Sequence, residues 1–212
     1  ETGYISMTGT DQAHLAKLPI ALIDVLAAHQ LKEGLLLALL QRGRTGKGVY
    51  VEVSLEEAAL TGLINQASNQ LMTGAVAAPM GTLHPNIAPY GELFTCADGG
   101  RLILAVGSDT QFVGLCQVLG VGHWAQDERF ARNVVRVLHR AELALALSEV
   151  IACWSRSALL EALQQAEVPA GALNDIEAAL ATPVAQRMIV EQELEGVRTR
   201  RVRGNAFRME PY

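Results

Sequence analysis

Asp24 is the residue of this sequence whose type and surroundings most strongly suggest chemistry. The helical pattern that starts at Pro19 places apolar residues one turn before it and one turn after it: Ile20, Ala21, Ala27 and Ala28. A carboxylate on such a face is costly to bury unless hydrogen bonds or a helix N-terminus compensate for the lost water. The spacing leaves two interpretations open: a poorly solvated catalytic carboxylate with room for a substrate, or a solvent-facing Asp that complements the helix dipole.

A second candidate site lies in residues 81–91, within an irregular connection over residues 74–91 that is rich in Gly and Pro. Its length exceeds that of ordinary connections and indicates a functional loop or a crossing between domains. The candidate substrate-binding residues are His84, Pro85, Asn86, Ile87 and Ala88. The prolines restrict the backbone, and the imidazole of His84 is a candidate acid–base group. For His84 alone, the preferred interpretation is a side chain that caps backbone groups of the loop.

Other patterns predict no catalytic or metal site. The turn at residues 43–48 is rich in Gly and cations, but it is not a phosphate loop because Lys47 is followed by Gly48. Its charges are interpreted as solvated. The histidines lack metal-ligand spacing, and no serine lies in a GxSxG frame, so neither a metal nor a hydrolase triad is expected.

Composition limits the classes of partner. Half of the 212 residues are hydrophobic and the net charge is −5, so a nucleic-acid-binding surface is not expected. The basic cluster within residues 198–203 alternates with Val and Thr, and we interpret it as a solvated strand edge. Cys96, Cys116 and Cys153 are widely spaced, which predicts reduced, buried thiols in a cytoplasmic protein.

The most apolar stretch, residues 18–40, is predicted to be a core helix of a soluble protein. Five polar residues interrupt it: Asp24, His29, Gln30, Lys32 and Glu33. A membrane-spanning helix needs about 20 residues with almost no such interruption, so no membrane partner is expected.

The periodicity predicts a mixed α/β protein. Helices are expected at residues 19–41, 55–73, 110–119, 125–132, 139–154, 157–166 and 176–180, with a helical turn after Pro183. Strands are expected at 49–54, 168–173, 188–194 and 197–205, and a hairpin at 92–107 turns at Asp98 and Gly99. Asn174 is the predicted N-cap of the helix that follows it.

Several segments, taken together, resemble the class III coenzyme A transferases, the family of formyl-CoA transferase and carnitine CoA-transferase. They are residues 5–9, 23–24, 44–48, 51–55, 65–74, 84–90, 97–99, 106–112, 168–171 and 174–176. Each match is weak by itself, but their order and spacing agree over nearly the whole chain.

The resemblance implies two α/β domains, an interlocked homodimer of the full-length protein, and acyl-CoA and a carboxylic acid as substrates. Asp24 matches the family aspartate that forms acyl anhydride and aspartyl-CoA intermediates, which is covalent catalysis by a carboxylate. Residues 85–88 occupy the place of the family's Gly-rich loop, which shields the aspartyl-CoA from water. Coenzyme A enters as part of the substrate, and no metal is implied.

The resemblance also implies that the chain corresponds to a C-terminal portion of such an enzyme. The family's N-terminal Rossmann-like part, which carries most CoA contacts, has no counterpart here. Residues 1–75 are predicted to be a remnant of the large domain with the catalytic helix. Residues 76–185 are predicted to form a small α/β domain, and 186–212 strands that return to the large domain. We therefore expect a truncated or proteolysed piece that is inactive alone.

Two alternatives remain. One is an α-methylacyl-CoA racemase of the same fold, which would use paired acid and base groups; residues 106–112 have the shorter transferase form and favour transfer. The other is a non-catalytic interaction module, against which a retained Asp24 on an apolar face argues.

Overall fold

A computed structural model of the chain describes residues 1–210, which contain nine α-helices and five β-strands. The helices are α1 (Leu22–Thr45), α2 (Leu55–Thr61), α3 (Asn65–Thr73), α4 (Asp109–Val118), α5 (Asn133–Leu138), α6 (Arg140–Ile151), α7 (Arg156–Gln165), α8 (Ile176–Ala181) and α9 (Pro183–Gln186). The strands are β1 (Tyr90–Thr95), β2 (Arg101–Ala105), β3 (Ala170–Ala172), β4 (Ile189–Leu194) and β5 (Val197–Val202). The predicted mixed α/β class is confirmed.

The chain divides into two compact units, residues 1–86 and residue 87 onward. We call them the first unit and the second unit. The boundary falls within the candidate segment 84–88, between Asn86 and Ile87. The three-part division predicted from the sequence stays a prediction, and its last residues, 211 and 212, lie outside the described part of the chain.

Helix α1 is the longest element of the first unit. It begins at Leu22, so Pro19 precedes the helix and does not open it as predicted. Gly46 ends the helix in a left-handed conformation, and its N–H donates to the carbonyl of Arg42. None of the side chains of α1 is buried. The prediction of a core helix is therefore wrong for the described chain, because too few neighbouring elements cover it.

Residues 49–54 do not form the predicted strand. Their alternation is real, since Val51 and Val53 are half-buried and Tyr50 is exposed. The segment has no hydrogen-bonded neighbour strand within residues 1–210, and instead Val51 packs on α1 where Gly34 has no side chain. Residues 55–73 are helical as predicted, but Gly62 breaks them into α2 and α3. Ser54 caps α2 by accepting the N–H of Glu57.

A β-hairpin opens the second unit, as predicted. Strand β1 pairs antiparallel with β2, and β3 pairs antiparallel with the other side of β2, so the sheet order is β1-β2-β3. At the turn, Gly99 adopts a positive φ of 74°, which favours glycine. The carboxylate of Asp98 accepts the N–H of Gly100 at 3.0 Å and the N–H of Arg156, also at 3.0 Å. Asp98 therefore stabilises both the turn of the hairpin and the first residue of α7.

The hydrophobic core of the second unit lies between this sheet and helices α4, α6 and α7. Strand β2 contributes alternate residues, and α6 contributes a stripe with four-residue spacing, as expected for an amphipathic helix. The fully buried apolar residues of these elements are Leu102, Leu104, Phe112, Leu115, Cys116, Leu143, Leu147, Ile151, Leu159 and Leu163.

Three local predictions in the second unit are wrong. Residues 125–132 are not a helix: a 3₁₀ turn at Gly122–Gln126 precedes a bend in which the Asp127 carboxylate accepts the N–H of Arg129. Helix α8 is capped by Asp175 rather than Asn174, through the N–H of Ala178 at 2.8 Å. Cys153 is exposed, unlike Cys96 and Cys116.

Strands β4 and β5 lie within the two segments predicted to be strands, and they pair with each other as a separate antiparallel hairpin. The basic residues of β5 are not only solvated, since Arg198 and Arg200 both pair with Glu191 on β4. Within residues 1–210, no single helix has the length and apolar character of a membrane span. Helices α6 and α7 reach that threshold only as a pair bent by 112°.

Candidate functional site

Asp24 lies in the first turn of α1, where the helix dipole favours a negative charge. Its side chain is exposed, and so are those of Ile20, Ala21 and Ala28 around it. Of the two interpretations that the spacing left open, the exposure of Asp24 in the described chain is that of a solvent-facing Asp at the helix N-terminus. The helix face has the small apolar residues read from the sequence, but nothing among residues 1–210 excludes water from it.

A pocket of about 570 Å³ opens beside Asp24. It is lined by residues 1–6, 8, 16–18 and 20–24, which include Lys17 as the one cation of the lining. This volume falls in the range of small-molecule sites. The lining comes from the N-terminal segment and α1 alone, so the pocket does not unite Asp24 with His84, Pro85 or Asn86.

Hydrogen bonds hold the N-terminal wall of this pocket in place. Residues 1–18 fold back on themselves, since the N–H of Ala16 donates to the carbonyl of Thr8 at 2.8 Å. Gly9 is required there, because a Cβ on it would lie 2.1 Å from the carbonyl oxygen of His14. The hydroxyl of Tyr4 donates to the carbonyl of Ala59 at 2.9 Å, and burial raises the pKa of Tyr4, so the phenol is neutral.

The first half of the candidate segment, residues 84–86, belongs to the first unit. The N–H of Asn86 donates to Nδ1 of His84 at 3.2 Å, and the side-chain amide of Asn69 donates to Oδ1 of Asn86 at 3.0 Å. His84 therefore caps a backbone group, which is the interpretation preferred from the sequence. With Nδ1 as an acceptor, the proton of the neutral ring is on Nε2.

The second half of the segment is held by side chains of the second unit. The N–H of Ala88 donates to Oδ1 of Asn133 at 3.1 Å. The carbonyl of Ala88 accepts from Nε of Arg136, and the carbonyl of Ile87 accepts from Arg140, both at 2.7 Å. We call Asn133, Arg136 and Arg140 the backbone clamp. These bonds replace those that a strand or helix would provide to the same main-chain groups.

Sequence reasoning missed the backbone clamp, although a signal for it was present. Arg136 and Arg140 are four residues apart, a spacing that places two cations on one face of a helix. Arg136 is fully buried, whereas Asp24 is exposed. The misplaced helix at 125–132 concealed the spacing, because it ended before these residues.

Glu92 is the second buried charged residue of this region. Its Oε1 lies 3.0 Å from Arg140, and its Oε2 is buried without a hydrogen-bond partner. Burial raises the pKa of Glu92, and the nearby Arg140 offsets only part of that effect. Glu92 therefore places a titratable carboxylate in contact with Arg140 of the backbone clamp.

The cysteines differ in their exposure to solvent. Cys96 and Cys116 are buried, and burial raises the pKa of Cys116 to about 11, so it is protonated near neutral pH. Cys153 is exposed. Among residues 1–210, no three His, Cys, Asp or Glu side chains lie close enough together to bind a metal ion.

The model of the family described as "CoA-transferase family III" matches residues 1–211. A succinate–glutarate CoA-transferase of Agrobacterium fabrum is 37% identical, over 92% of this chain and 48% of that protein. A succinyl-CoA–D-citramalate CoA-transferase of Chloroflexus aurantiacus is 31% identical, over 92% of this chain and 48% of that protein. The crystal structure of a CAIB/BAIF family protein from Brucella suis is 35% identical with a TM-score of 0.71, and the match covers 98% of this chain and 54% of that one. The chain thus spans about half the length of these relatives.

Proposed function

The chain belongs to CoA-transferase family III, and from this premise we propose that the protein carrying it moves coenzyme A from an acyl-CoA thioester to a carboxylic acid. The observation that carries the proposal is the family match over residues 1–211, joined to a carboxylate at the N-terminus of α1 beside a substrate-sized pocket.

Asp24 is the proposed nucleophile. Its carboxylate oxygen attacks the thioester carbonyl carbon, the C–S bond breaks, and CoA leaves as a thiolate, which gives a mixed anhydride of Asp24 and the donor acid. The thiolate then attacks the Asp24 carbonyl of the anhydride, which releases the donor acid and leaves an aspartyl-CoA thioester. The acceptor carboxylate attacks this thioester and expels the thiolate. Attack of that thiolate on the acceptor acyl carbonyl yields the new acyl-CoA and restores Asp24.

Two features of the first unit support this role. Asp24 lies in the first turn of α1, at the end of the helix where the dipole attracts negative charge. The walls of the adjoining pocket include the small residues Gly3, Ala16 and Ala21, which leave room for a thioester to approach. Because Asp24 is exposed, we propose that the bound substrate itself removes water from the carboxylate.

Small dicarboxylic acids are the proposed acceptors, with succinyl-CoA as donor. The support is sequence similarity to the relatives above, whose names include succinate, glutarate, succinyl-CoA and D-citramalate. Lys17 in the pocket wall is the proposed partner of a substrate carboxylate. Residues 84–88 are proposed to contact the CoA ester.

Turnover is proposed for the whole protein rather than for these 212 residues alone. The support is that the relatives are about twice as long as the part this chain matches. The interlocked homodimer implied by the family resemblance is proposed for the whole protein as well.

Trapping the aspartyl-CoA thioester tests the role of Asp24. The complete product of the gene, whether it is this chain or a longer one, is incubated with succinyl-CoA, digested and analysed by mass spectrometry. We expect the peptide that contains Asp24 to gain the mass of CoA less one water, and the adduct to disappear on hydroxylamine treatment.

The test variant and its control each change one carboxylate of helix α1. Asp24→Asn keeps the side-chain shape but removes the nucleophile, so it should give no adduct and at least about a thousandfold lower transfer rate. Glu33→Gln removes another exposed carboxylate of α1 and should form the adduct as the unchanged protein does. An adduct on any other residue, or full activity of the Asp24→Asn variant, would contradict the proposal.

A further inference from the structure

The main chain of Ile87 and Ala88 makes three hydrogen bonds with a segment more than forty residues away. The N–H of Ala88 donates to the side-chain carbonyl of Asn133, and the carbonyls of Ala88 and Ile87 accept from the guanidinium groups of Arg136 and Arg140, with donor–acceptor distances of 2.7–3.1 Å. Charged donors make the stronger hydrogen bonds of proteins. The segment is thus fixed at its main chain, whatever side chains it carries.

A second layer of contacts holds Arg136. Its Nη1 donates to the carbonyl of Phe130 at 2.8 Å, and its Nη2 donates to Oδ1 of Asp109 at 2.6 Å. Its guanidinium also lies over the ring of Phe112, 4.3 Å from the centroid. The same Asp109 oxygen accepts the N–H of Asn133 at 2.9 Å, so one carboxylate orients two members of the backbone clamp.

Arg140 is held in a different way. Its Nη1 donates to Oε1 of Glu92 at 3.0 Å while its Nη2 donates to the carbonyl of Ile87. Its side chain is 13% exposed. The planar guanidinium thereby bridges a side chain of β1 and the main chain of the candidate segment, which a single ammonium group reproduces poorly.

This arrangement is a poor way to gain stability alone. Arg136 is fully buried, yet its carboxylate partner Asp109 is 54% exposed, so the charge is only partly compensated. Apolar residues at such positions are often as stabilising as a buried ion pair. What the guanidinium groups provide, and apolar residues do not, is a defined position for two consecutive peptide groups.

We propose that Arg136 and Arg140 are positioning residues that hold Ile87 and Ala88 in the conformation that binds the CoA ester. They act through the main chain and do not touch the substrate. The inference rests on the proposed function, because it assumes that residues 84–88 contact the CoA ester.

Amide hydrogen exchange tests the positioning directly and needs no activity. The complete gene product is compared with Arg140→Met, Arg136→Lys and the control Arg132→Met, which changes an exposed arginine of the same region. We expect exchange of the amides of residues 86–88 to become about tenfold faster in the first two variants and unchanged in the control. Amides of residues 102–104, in the core strand β2, serve as the reference for intact folding.

The kinetic readout separates positioning from a purely structural role. With succinyl-CoA, Arg140→Met should raise KM by about tenfold and change kcat much less, since ground-state and transition-state binding are lost together. Arg140→Lys keeps a charge opposite Glu92, so it should recover the thermal midpoint but not KM or the slow exchange. If Arg140 had only a structural role, Arg140→Lys would restore the thermal midpoint, KM and the slow exchange.

The outcomes distinguish this inference from the proposed function. Unchanged exchange at residues 86–88 in both Arg140→Met and Arg136→Lys overturns the inference, and so does faster exchange with wild-type KM and kcat. If Arg136→Lys does not fold, Arg140→Met decides alone, because its site is partly exposed. If the wild-type protein does not transfer CoA to any acid, the proposed function is overturned. The exchange data still decide whether the arginines hold residues 86–88.

Discussion

The two units bury their residues very differently. Within residues 1–86, all of which the structure describes, only Ala58, Ala59 and Pro79 are buried. The second unit contains a cluster of apolar residues from β2, α4, α6 and α7 that are almost wholly shielded from water. Helix α1 exposes large side chains along its length, including Leu37 at 67%. The second unit therefore has a core of its own, and the first unit has an apolar surface.

The charged residues follow the same division. The candidate nucleophile, Asp24, lies on the exposed surface of the first unit, whereas Arg136 and Glu92 are buried in the second. A solvated carboxylate interacts little with its neighbours, while a buried charge must be matched by hydrogen bonds and opposite charge. The proposed chemistry is thus on the loosely packed first unit, and the positioning contacts are in the tightly packed second unit.

Core truncation should give the largest contrast between the units. Leu147→Ala removes a fully buried side chain of α6 and should lower the free energy of unfolding by about 2–5 kcal/mol. Leu37→Ala, on the exposed face of α1, should change it by no more than about 0.5 kcal/mol. Urea unfolding followed by tryptophan fluorescence measures the effect, because Trp124 and Trp154 both lie in the second unit.

Circular dichroism extends the same experiment to the helical first unit. If the two substitutions destabilise the chain equally, the contrast in packing between the units is wrong. A large effect of Leu37→Ala would mean that the exposed face of α1 is covered in solution.

Two glycines of α1 allow a test of how residues 49–54 pack on this helix. A Cβ on Gly34 would lie 2.6 Å from Cγ1 of Val51, a stiff β-branched side chain, whereas a Cβ on Gly43 would meet nothing within 4 Å. Both Ala substitutions gain about 1 kcal/mol of helix propensity. We expect Gly43→Ala to protect α1 against proteolysis and Gly34→Ala to lose that gain through displacement of residues 49–54.

Limited proteolysis with mass spectrometry of the fragments measures both variants. Equal protection by the two substitutions would show that the contact between Val51 and α1 contributes nothing to the first unit.

The smallest expected effect is a dependence on pH that differs in sign between the units. Because burial raises the pKa of Glu92, the folded chain binds a proton before the unfolded chain does as pH falls. The free energy of unfolding from this group therefore rises as pH falls through the folded pKa towards the ordinary value of 4.5. Glu92→Gln should lose this rise, so its stability relative to the unchanged chain should be greatest near neutral pH.

Asp11 in the first unit should behave in the opposite way. A hydrogen bond with His14 lowers the pKa of Asp11, so its contribution is present above the ordinary value of 3.8 and is lost as pH falls through the lowered pKa. Urea midpoints between pH 8 and pH 4 measure the Glu92 effect, and amide exchange of residues 13–16 measures that of Asp11→Asn. A parallel response of the two variants would contradict the comparison.

Much of the second unit could be predicted from sequence because its signals are local. The Asp98–Gly99 turn, the alternation in β2 and the four-residue spacing in α6 each report the structure of their own segment. The predictions that failed depended on distant partners or on competing side-chain bonds. Residues 49–54 alternate like a strand but pack on α1, and the Asp127 carboxylate turns the chain where a helix was expected.

The α/β class, the hairpin, the family resemblance and the choice of Asp24 could all be derived from the sequence, because motifs and periodicity are properties of neighbouring residues. Which charges are buried depends on the tertiary structure. Asp24 has apolar residues at helical spacing and is exposed, whereas Arg136 has Arg132, Asn133, His139 and Arg140 at that spacing and is buried. Arg136 is buried because Asp109, Phe112 and Phe130 surround it, and Asp24 is exposed because no such partners converge on α1 within residues 1–210. Burial depends on which helices and strands pack together, and no single segment of the sequence specifies that packing.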